Sequence, residues 1–159
     1  MEKFKWTTKG LCQAAAIAAL YAVLTIALQP ISFGANGAMQ LRVSEALTLL
    51  PVVTPTAVPG LFVGCLAANL LCGAPLPDII FGSLATLLAA IATRRLRKNV
   101  YLAALAPVIS NGVIVGIMLS VVYAVPLLWS CFTVAVGEVA ACYVLGIPRL
   151  KGVEKLKIF

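Results

Sequence analysis

Apolar residues occur in six separate runs along the chain, divided by short polar or proline-containing connections. A helix needs about 20 apolar residues to cross the hydrocarbon core of a bilayer, so the pattern predicts an all-α membrane protein with six transmembrane helices. The second and third runs are too short to cross upright unless they tilt or extend, and a five-span arrangement therefore stays open. The runs cover Lys9–Leu28, Val43–Val53, Ala57–Leu71, Asp78–Thr93, Tyr101–Tyr123 and Leu127–Leu145.

The composition supports a membrane location. Of the 159 residues, 62% are hydrophobic and only 11% are charged, whereas a soluble domain is about half apolar and about a quarter charged. So few charges could not cover a water-facing surface. Six spans with short loops use the whole length, which predicts a single domain over residues 1–159 with no separate soluble domain or ATPase. The basic start is interpreted as part of a retained first span rather than as a signal peptide.

The basic residues predict the topology. Lys and Arg are enriched in the cytoplasmic loops of membrane proteins. With an even number of spans, three basic clusters fall on one side, which places both termini in the cytoplasm, and of the basic residues only Arg42 lies on the other side. The net charge of +7 then reflects topology and contact with anionic headgroups rather than nucleic acid. The clusters are Lys3, Lys5 and Lys9; Arg94, Arg95, Arg97 and Lys98; and Arg149, Lys151, Lys155 and Lys157.

Polar residues within the apolar runs are the candidate site. A charge in the bilayer core costs about 2.5–3.5 kcal/mol on insertion scales, and QLRVSEALTLLP carries two of them, spaced to share one helix face. By depth along the helices the polar residues occupy the outer half of the bundle, which predicts a ligand pocket open to the outside. Each also has a structural alternative as an ion pair, a helix cap or an interhelical hydrogen bond. The candidates are Arg42, Glu45, Asn69, Asp78, Asn111 and Glu138.

The sequence gives little indication of metal binding, redox chemistry, nucleotide binding or catalysis. The chain has no histidine, which is the commonest metal ligand and the usual base at neutral pH. The cysteines have no CxxC spacing and lie in apolar runs, where they are expected to be buried hydrophobic residues. There is no phosphate-binding loop and no nucleophile paired with a base. The sequence therefore predicts a binding protein without metal or cofactor rather than an enzyme.

Small residues recur at helical spacing on the first, third and fifth predicted helices. Such spacing lets helix backbones approach closely within the bilayer. The alanines of the first helix are expected either to pack internally or to contact a partner subunit. The residues are the pairs Ala14/Ala18, Ala15/Ala19, Gly60/Gly64 and Gly112/Gly116.

Six stretches, which cover most of residues 13–146 in order, carry a family resemblance: AAAIAALYAVLT, QLRVSEALTLLP, GLFVGCLAANLL, LPDIIFGSLATLLAA, ISNGVIVG and VAVGEVAACYVLG. Through them the chain resembles the queuosine-precursor (QueT-type) substrate-binding subunits, or S components, of energy-coupling-factor (ECF) transporters. The SEAL, DIIFGSLAT and VGE elements are the more specific ones. The alanine stripe is shared more widely among S components.

This resemblance implies a six-helix S-component bundle in the bacterial cytoplasmic membrane. It implies capture of a 7-deazaguanine such as preQ1, preQ0 or queuine from outside the cell. Transport would need a transmembrane coupling subunit and two ATP-hydrolysing subunits, and the alanine stripe (Ala14/Ala18 or Ala15/Ala19) would contact the coupling subunit. The S component would topple within the membrane to release its cargo.

The polar residues suit such a ligand. One carboxylate can accept the N1–H and exocyclic NH₂ of a guanine-like edge, an amide can bind the O6/N7 side, and a second carboxylate can bind an aminomethyl cation. The hypothesis assigns Glu138 to the purine edge and either Glu45 or Asp78 to the cation. Three alternatives stay open: an S component for another small nutrient or vitamin, a small intramembrane enzyme using paired carboxylates, and a structural membrane protein without a ligand.

Overall fold

The computed structural model describes residues 7–32 and 42–156. In these residues the chain is helical and contains no strand, as expected. The connection predicted over Pro30–Leu41 lies mostly outside the described residues. The elements are α1 (Thr8–Ala27), α2 (Gln29–Ser32), a 3₁₀ helix (Val43–Val52), α3 (Ala57–Leu71), a π-helical turn (Asp78–Gly82), α4 (Ser83–Arg95), α5 (Val100–Tyr123), α6 (Leu127–Val139), a second π-helical turn (Ala140–Gly146) and α7 (Ile147–Leu156).

Local sequence accounts for several helix ends. The Thr7 hydroxyl accepts a hydrogen bond from the Gly10 N–H at 3.1 Å, and the Asn99 side chain accepts one from the Tyr101 N–H at 3.1 Å. Both residues therefore satisfy backbone donors that the first turn of a helix leaves free. Helix α5 ends at Tyr123 and is followed by Ala124, whose φ of 52° is left-handed, and Pro126 then precedes α6.

Three of the predicted spans are apolar helices that are long enough to cross a bilayer in the described part of the chain. In the described part of the chain, Thr8–Ala27, Val100–Tyr123 and Leu127–Leu150 are long and apolar enough to cross a bilayer. Val43–Val52 and Ala57–Leu71 are apolar but shorter. The 3₁₀ geometry rises about 2.0 Å per residue rather than 1.5 Å, so it lengthens the short second run. The structure thus supports a multi-pass membrane protein, while the count of six spans stays a prediction.

The glycine and alanine pairs mark helix contacts inside the bundle. A Cβ added at Gly60 would lie 2.7 Å from the Ala14 carbonyl oxygen, and one at Gly64 would lie 2.8 Å from that of Ala18. Helices α1 and α3 therefore approach so closely that only glycine fits on the α3 side. Gly116 makes a similar approach, with an added Cβ 2.7 Å from the Cα of Cys131 on α6.

The two alanine pairs of α1 consequently differ. Ala14 is buried and Ala18 half-buried against α3, whereas Ala15 and Ala19 are exposed on the opposite side of the helix. Of the residues predicted to contact a coupling subunit, Ala15 and Ala19 are the ones left accessible. The contact itself stays a prediction.

Three contacts bring the basic segments to one end of the bundle. Arg94 donates to the carbonyl oxygens of Pro51 and Val52, at 3.0 and 3.1 Å, which joins the end of α4 to the end of the 3₁₀ helix. Thr56 donates to Gln13 at 3.4 Å near the start of α1. Tyr143 donates to the carbonyl oxygen of Tyr101 at 2.8 Å. The end of the bundle that carries Lys9, Arg94 and Arg149 is called the basic end below.

Candidate functional site

A buried ion pair joins the start of the 3₁₀ helix to the first π-helical turn. Nη2 of Arg42 lies 2.8 and 2.9 Å from the two carboxylate oxygens of Asp78, and the side chains are only 6% and 1% exposed. The Asn69 side chain donates to the backbone carbonyl oxygen of Asp78 at 3.1 Å. Gly82 lies beside the carboxylate, since an added Cβ would be 2.7 Å from Oδ1 of Asp78. Asp78 thus binds the Arg42 guanidinium, and Asn69 binds the backbone of the turn that carries Asp78.

Glu45 lies one turn after Arg42 and is held from two other helices. The Tyr21 hydroxyl of α1 donates to Glu45 Oε1 at 2.5 Å, and the Thr86 hydroxyl of α4 donates to the same oxygen at 3.4 Å. The other oxygen, Oε2, is buried and has no hydrogen-bond partner among the described residues. A buried acceptor left without a donor is costly, so Oε2 is a point at which a ligand donor would be stabilised.

Glu138 and Asn111 form the opposite side of the site. The Asn111 amide nitrogen donates to Glu138 Oε1 at 2.7 Å, which joins α5 to α6. The amide oxygen of Asn111 is buried and has no hydrogen-bond partner within the described segments. The Cys142 thiol lies 3.8 Å from Glu138 Oε2 and 3.7 Å from the carbonyl oxygen of Glu45.

A small cavity lies between these groups. Its lining combines four of the predicted polar residues with two valines, and its volume is about 10 Å³. Ligand pockets usually measure about 300–1,000 Å³, so the site is closed in this structure. The lining residues are Arg42, Glu45, Asn111, Val115, Val134 and Glu138.

The site carries more carboxyl groups than cationic groups. Asp78, Glu45 and Glu138 face a single guanidinium, that of Arg42, among the described residues at the site. Two buried atoms of the lining residues, Glu45 Oε2 and Asn111 Oδ1, are acceptors that have no hydrogen-bond donor in the described chain. The arrangement therefore suits a ligand that offers several N–H donors or a positive charge.

The sequence pattern indicated the charged and amide residues of the site, but it did not indicate the uncharged residues that contact their carboxylates. Tyr21 is fully buried in a stripe on α1 with Ile17 and Thr25, and its spacing is the one signal that could have been used. Thr86 and Cys142 give no such signal, because isolated Thr and Cys residues are common in apolar helices. The partner of Arg42 was also missed, since Asp78 lies 36 residues further along the chain.

The exposed surface of the helices is strongly apolar. Leu128 is 85% exposed and Val121 is 78% exposed, which is unfavourable in water and favourable in lipid. In the described segments, no group of three or more Cys, Asp or Glu residues is arranged to hold a metal ion. An apolar outer surface around a closed polar cavity defines a helical membrane protein with an internal polar site, the arrangement expected of a membrane transport component.

Comparison with known families agrees with this class. The family model of the QueT transporter matches residues 11–155, and the chain belongs to that family. The resemblance based on the SEAL, DIIFGSLAT and VGE elements is thereby confirmed, as is the interpretation that the chain is not an enzyme. Comparisons with curated proteins and with solved structures gave no match.

The Arg42–Asp78 ion pair should be essential to stability. Replacing Asp78→Asn keeps the shape of the side chain but leaves a buried guanidinium without its carboxylate, and breaking a buried pair in this way costs about 3–5 kcal/mol. We expect the midpoint of thermal unfolding in detergent to fall by roughly 10 °C. Ser83→Ala is the matched control, because the Ser83 hydroxyl is buried without a hydrogen-bond partner in the described residues. An unchanged midpoint for Asp78→Asn would contradict the assigned role.

Proposed function

We propose that this chain is the substrate-binding S component of an ECF-type importer and that it captures a queuosine precursor, a 7-deazaguanine, for ATP-driven uptake. The observation that carries the proposal is the cavity between Glu45 and Glu138, whose lining residues include two buried acceptor atoms, Glu45 Oε2 and Asn111 Oδ1, without donors in the described chain. A guanine-like edge offers adjacent N–H donors of the kind these atoms need. Membership of the QueT transporter family supports the substrate class.

The contacts favour one assignment of the acids. Asp78 is already paired with Arg42, so Glu45 and Glu138 are the carboxylates available to a ligand. We assign Glu138, with Asn111 beside it, to the purine edge. Glu45 Oε2 then accepts from the aminomethyl cation of a precursor such as preQ1, while Tyr21 fixes the other oxygen. Charge-assisted hydrogen bonds of this type are the strong ones in a dry pocket.

The basic end indicates how the protein is oriented across the membrane. Lys9, Arg94 and Arg149 lie toward this end of the helices, which the positive-inside rule assigns to the cytoplasm. With six spans both termini are cytoplasmic, and the ion pair of Arg42 and Asp78 lies on the outer side of the bundle. The pocket then receives its ligand from outside the bacterial cytoplasmic membrane.

Uptake requires other subunits. No phosphate-binding loop is present in the sequence, so ATP hydrolysis is assigned to two separate ATPase subunits that act through a transmembrane coupling subunit. We assign the contact with the coupling subunit to the exposed pair Ala15 and Ala19, since small residues allow close helix approach. Ala14 and Ala18 instead contribute by seating α1 on α3.

Binding of the ligand tests the proposal directly. Detergent-purified protein should bind 7-aminomethyl-7-deazaguanine in calorimetry, and guanine and queuine should compete with an order that shows which edge is recognised. Selective binding supports the S-component function. If folded protein bound no purine, the substrate assignment would be wrong, and another small nutrient or vitamin would become the leading hypothesis for the cargo.

Glu138 should be decisive for affinity. Glu138→Gln removes the charge that accepts the purine N–H groups, and a hydrogen bond to a charged group contributes about 1.5–3 kcal/mol. We expect the Kd for the deazapurine to rise at least about tenfold. Ser130→Ala on the same helix is the control, because this buried hydroxyl lacks a hydrogen-bond partner in the described chain. Unchanged affinity in Glu138→Gln would exclude the assigned contact.

Substitution of the two exposed alanines should reduce uptake of the ligand without changing its binding. Replacing Ala15→Leu together with Ala19→Leu adds bulk to the outer face of α1 without touching the cavity. We expect uptake of labelled deazapurine by cells carrying all subunits to fall at least about tenfold, whereas the Kd of the purified chain stays the same. Ala27→Leu, at an exposed position near the far end of α1, is the control. Normal uptake by the double variant would place the coupling contact elsewhere.

A further inference from the structure

A long groove lies on the surface of the bundle at the basic end, apart from the candidate site. It is formed by one face of α1, the 3₁₀ helix and the segment around the start of α7, and its volume is about 780 Å³. Most of the side chains that line it are apolar. The lining residues are Lys9, Cys12, Gln13, Ala16, Ile17, Leu20, Ala46, Leu47, Leu49, Leu50, Gly146, Arg149, Leu150 and Gly152.

The charged residues that line the groove in the described chain are both basic. Lys9 at the start of α1 and Arg149 in α7 both line it, and both side chains are exposed. No acidic residue of the described chain lines the groove. An apolar groove lined by two cations is complementary to a molecule with a long apolar tail and an anionic head.

The length of the groove corresponds to one leaflet of the bilayer. Its lining on α1 extends from Lys9 to Leu20, which is about 16 Å at 1.5 Å per residue. The hydrocarbon core is about 30 Å thick, so a single leaflet accounts for about 15 Å. An acyl chain that begins at the headgroup level beside Lys9 would therefore reach the end of the groove near the midplane.

We propose that this groove holds one acyl chain of an anionic phospholipid, with the phosphate bound between Lys9 and Arg149. The lipid seals the apolar faces of α1 and the 3₁₀ helix and links α1 to α7 through its headgroup. The proposal is independent of the deazapurine site.

A second groove provides an internal comparison. It measures about 450 Å³ and is formed by apolar side chains of the first π-helical turn and α5 together with Pro77. No charged residue lines it in the described part of the chain. Both grooves can accept acyl chains, but only the groove with Lys9 and Arg149 should prefer an anionic headgroup. Its lining residues are Pro77, Phe81, Ile114, Ile117, Met118, Val121 and Val122.

Native mass spectrometry of the full chain tests the proposal. The protein is equilibrated in micelles with equal amounts of phosphatidylglycerol and phosphatidylcholine, and the ratio of retained lipids is measured. We expect one phosphatidylglycerol to be retained preferentially. Lys9→Gln with Arg149→Gln should lower this preference at least about fivefold, and Ala16→Phe, which places a bulky side chain in the groove, should lower retention without removing charge.

Arg97→Gln with Lys98→Gln is the matched control, because both residues are exposed at the basic end and neither lines the groove. This control should leave the ratio unchanged. An equal loss of preference in control and test variants would mean general attraction to the basic end and would overturn the proposal. The proposal would also be overturned if the protein retained no lipid. If Ala16→Phe then weakened binding of the coupling subunit, the groove would be assigned to a helix of that subunit.

Discussion

The ion pair of Arg42 with Asp78 is the interaction on which the polar interior depends. A guanidinium within an apolar bundle is tolerated only when a carboxylate and further hydrogen bonds compensate for the lost water. The pair fixes the start of the 3₁₀ helix against the first π-helical turn, and Asn69 ties the same turn to α3. With Arg42 held in this way, Glu45 lies one turn further into the bundle, where Tyr21 reaches it.

Both parts of the site lie next to departures from regular α-helix. Asp78 begins one π-helical turn, and Glu138 lies two residues before the other. A π-helical turn accommodates an extra residue and often occurs at functional sites. It also changes which side chains face the interior after it. Glu138 on this helix reaches Asn111, and Cys142, four residues later and on the same helix face, lies beside the same carboxylate.

The sequence predicted the helical segments and the charged residues of the site, because hydrophobic runs and their interruptions are local signals. It did not reveal that Arg42 pairs with Asp78, since that contact depends on how two helices pack. Tyr21 and Thr86 were missed because a lone hydroxyl in an apolar run carries little information. The 3₁₀ geometry of Val43–Val52 was also unforeseen, although Pro51 lies inside this segment and lacks the N–H that a regular α-helix uses.

The distribution of contacts indicates how the closed site can widen. Strong hydrogen bonds join α1, the 3₁₀ helix, α3 and the first π-helical turn around Glu45 and Asp78, and another joins α5 to α6 through Asn111 and Glu138. Between these groups the Cys142 thiol makes weak contacts with the Thr48 hydroxyl and with the backbone carbonyl oxygen of Glu45. A cavity of about 10 Å³ is smaller than any purine, so admission of a ligand must enlarge it. If the two groups separated at the cavity, the Tyr21–Glu45 and Asn111–Glu138 hydrogen bonds would stay intact, with Glu45 on one wall and Glu138 on the other.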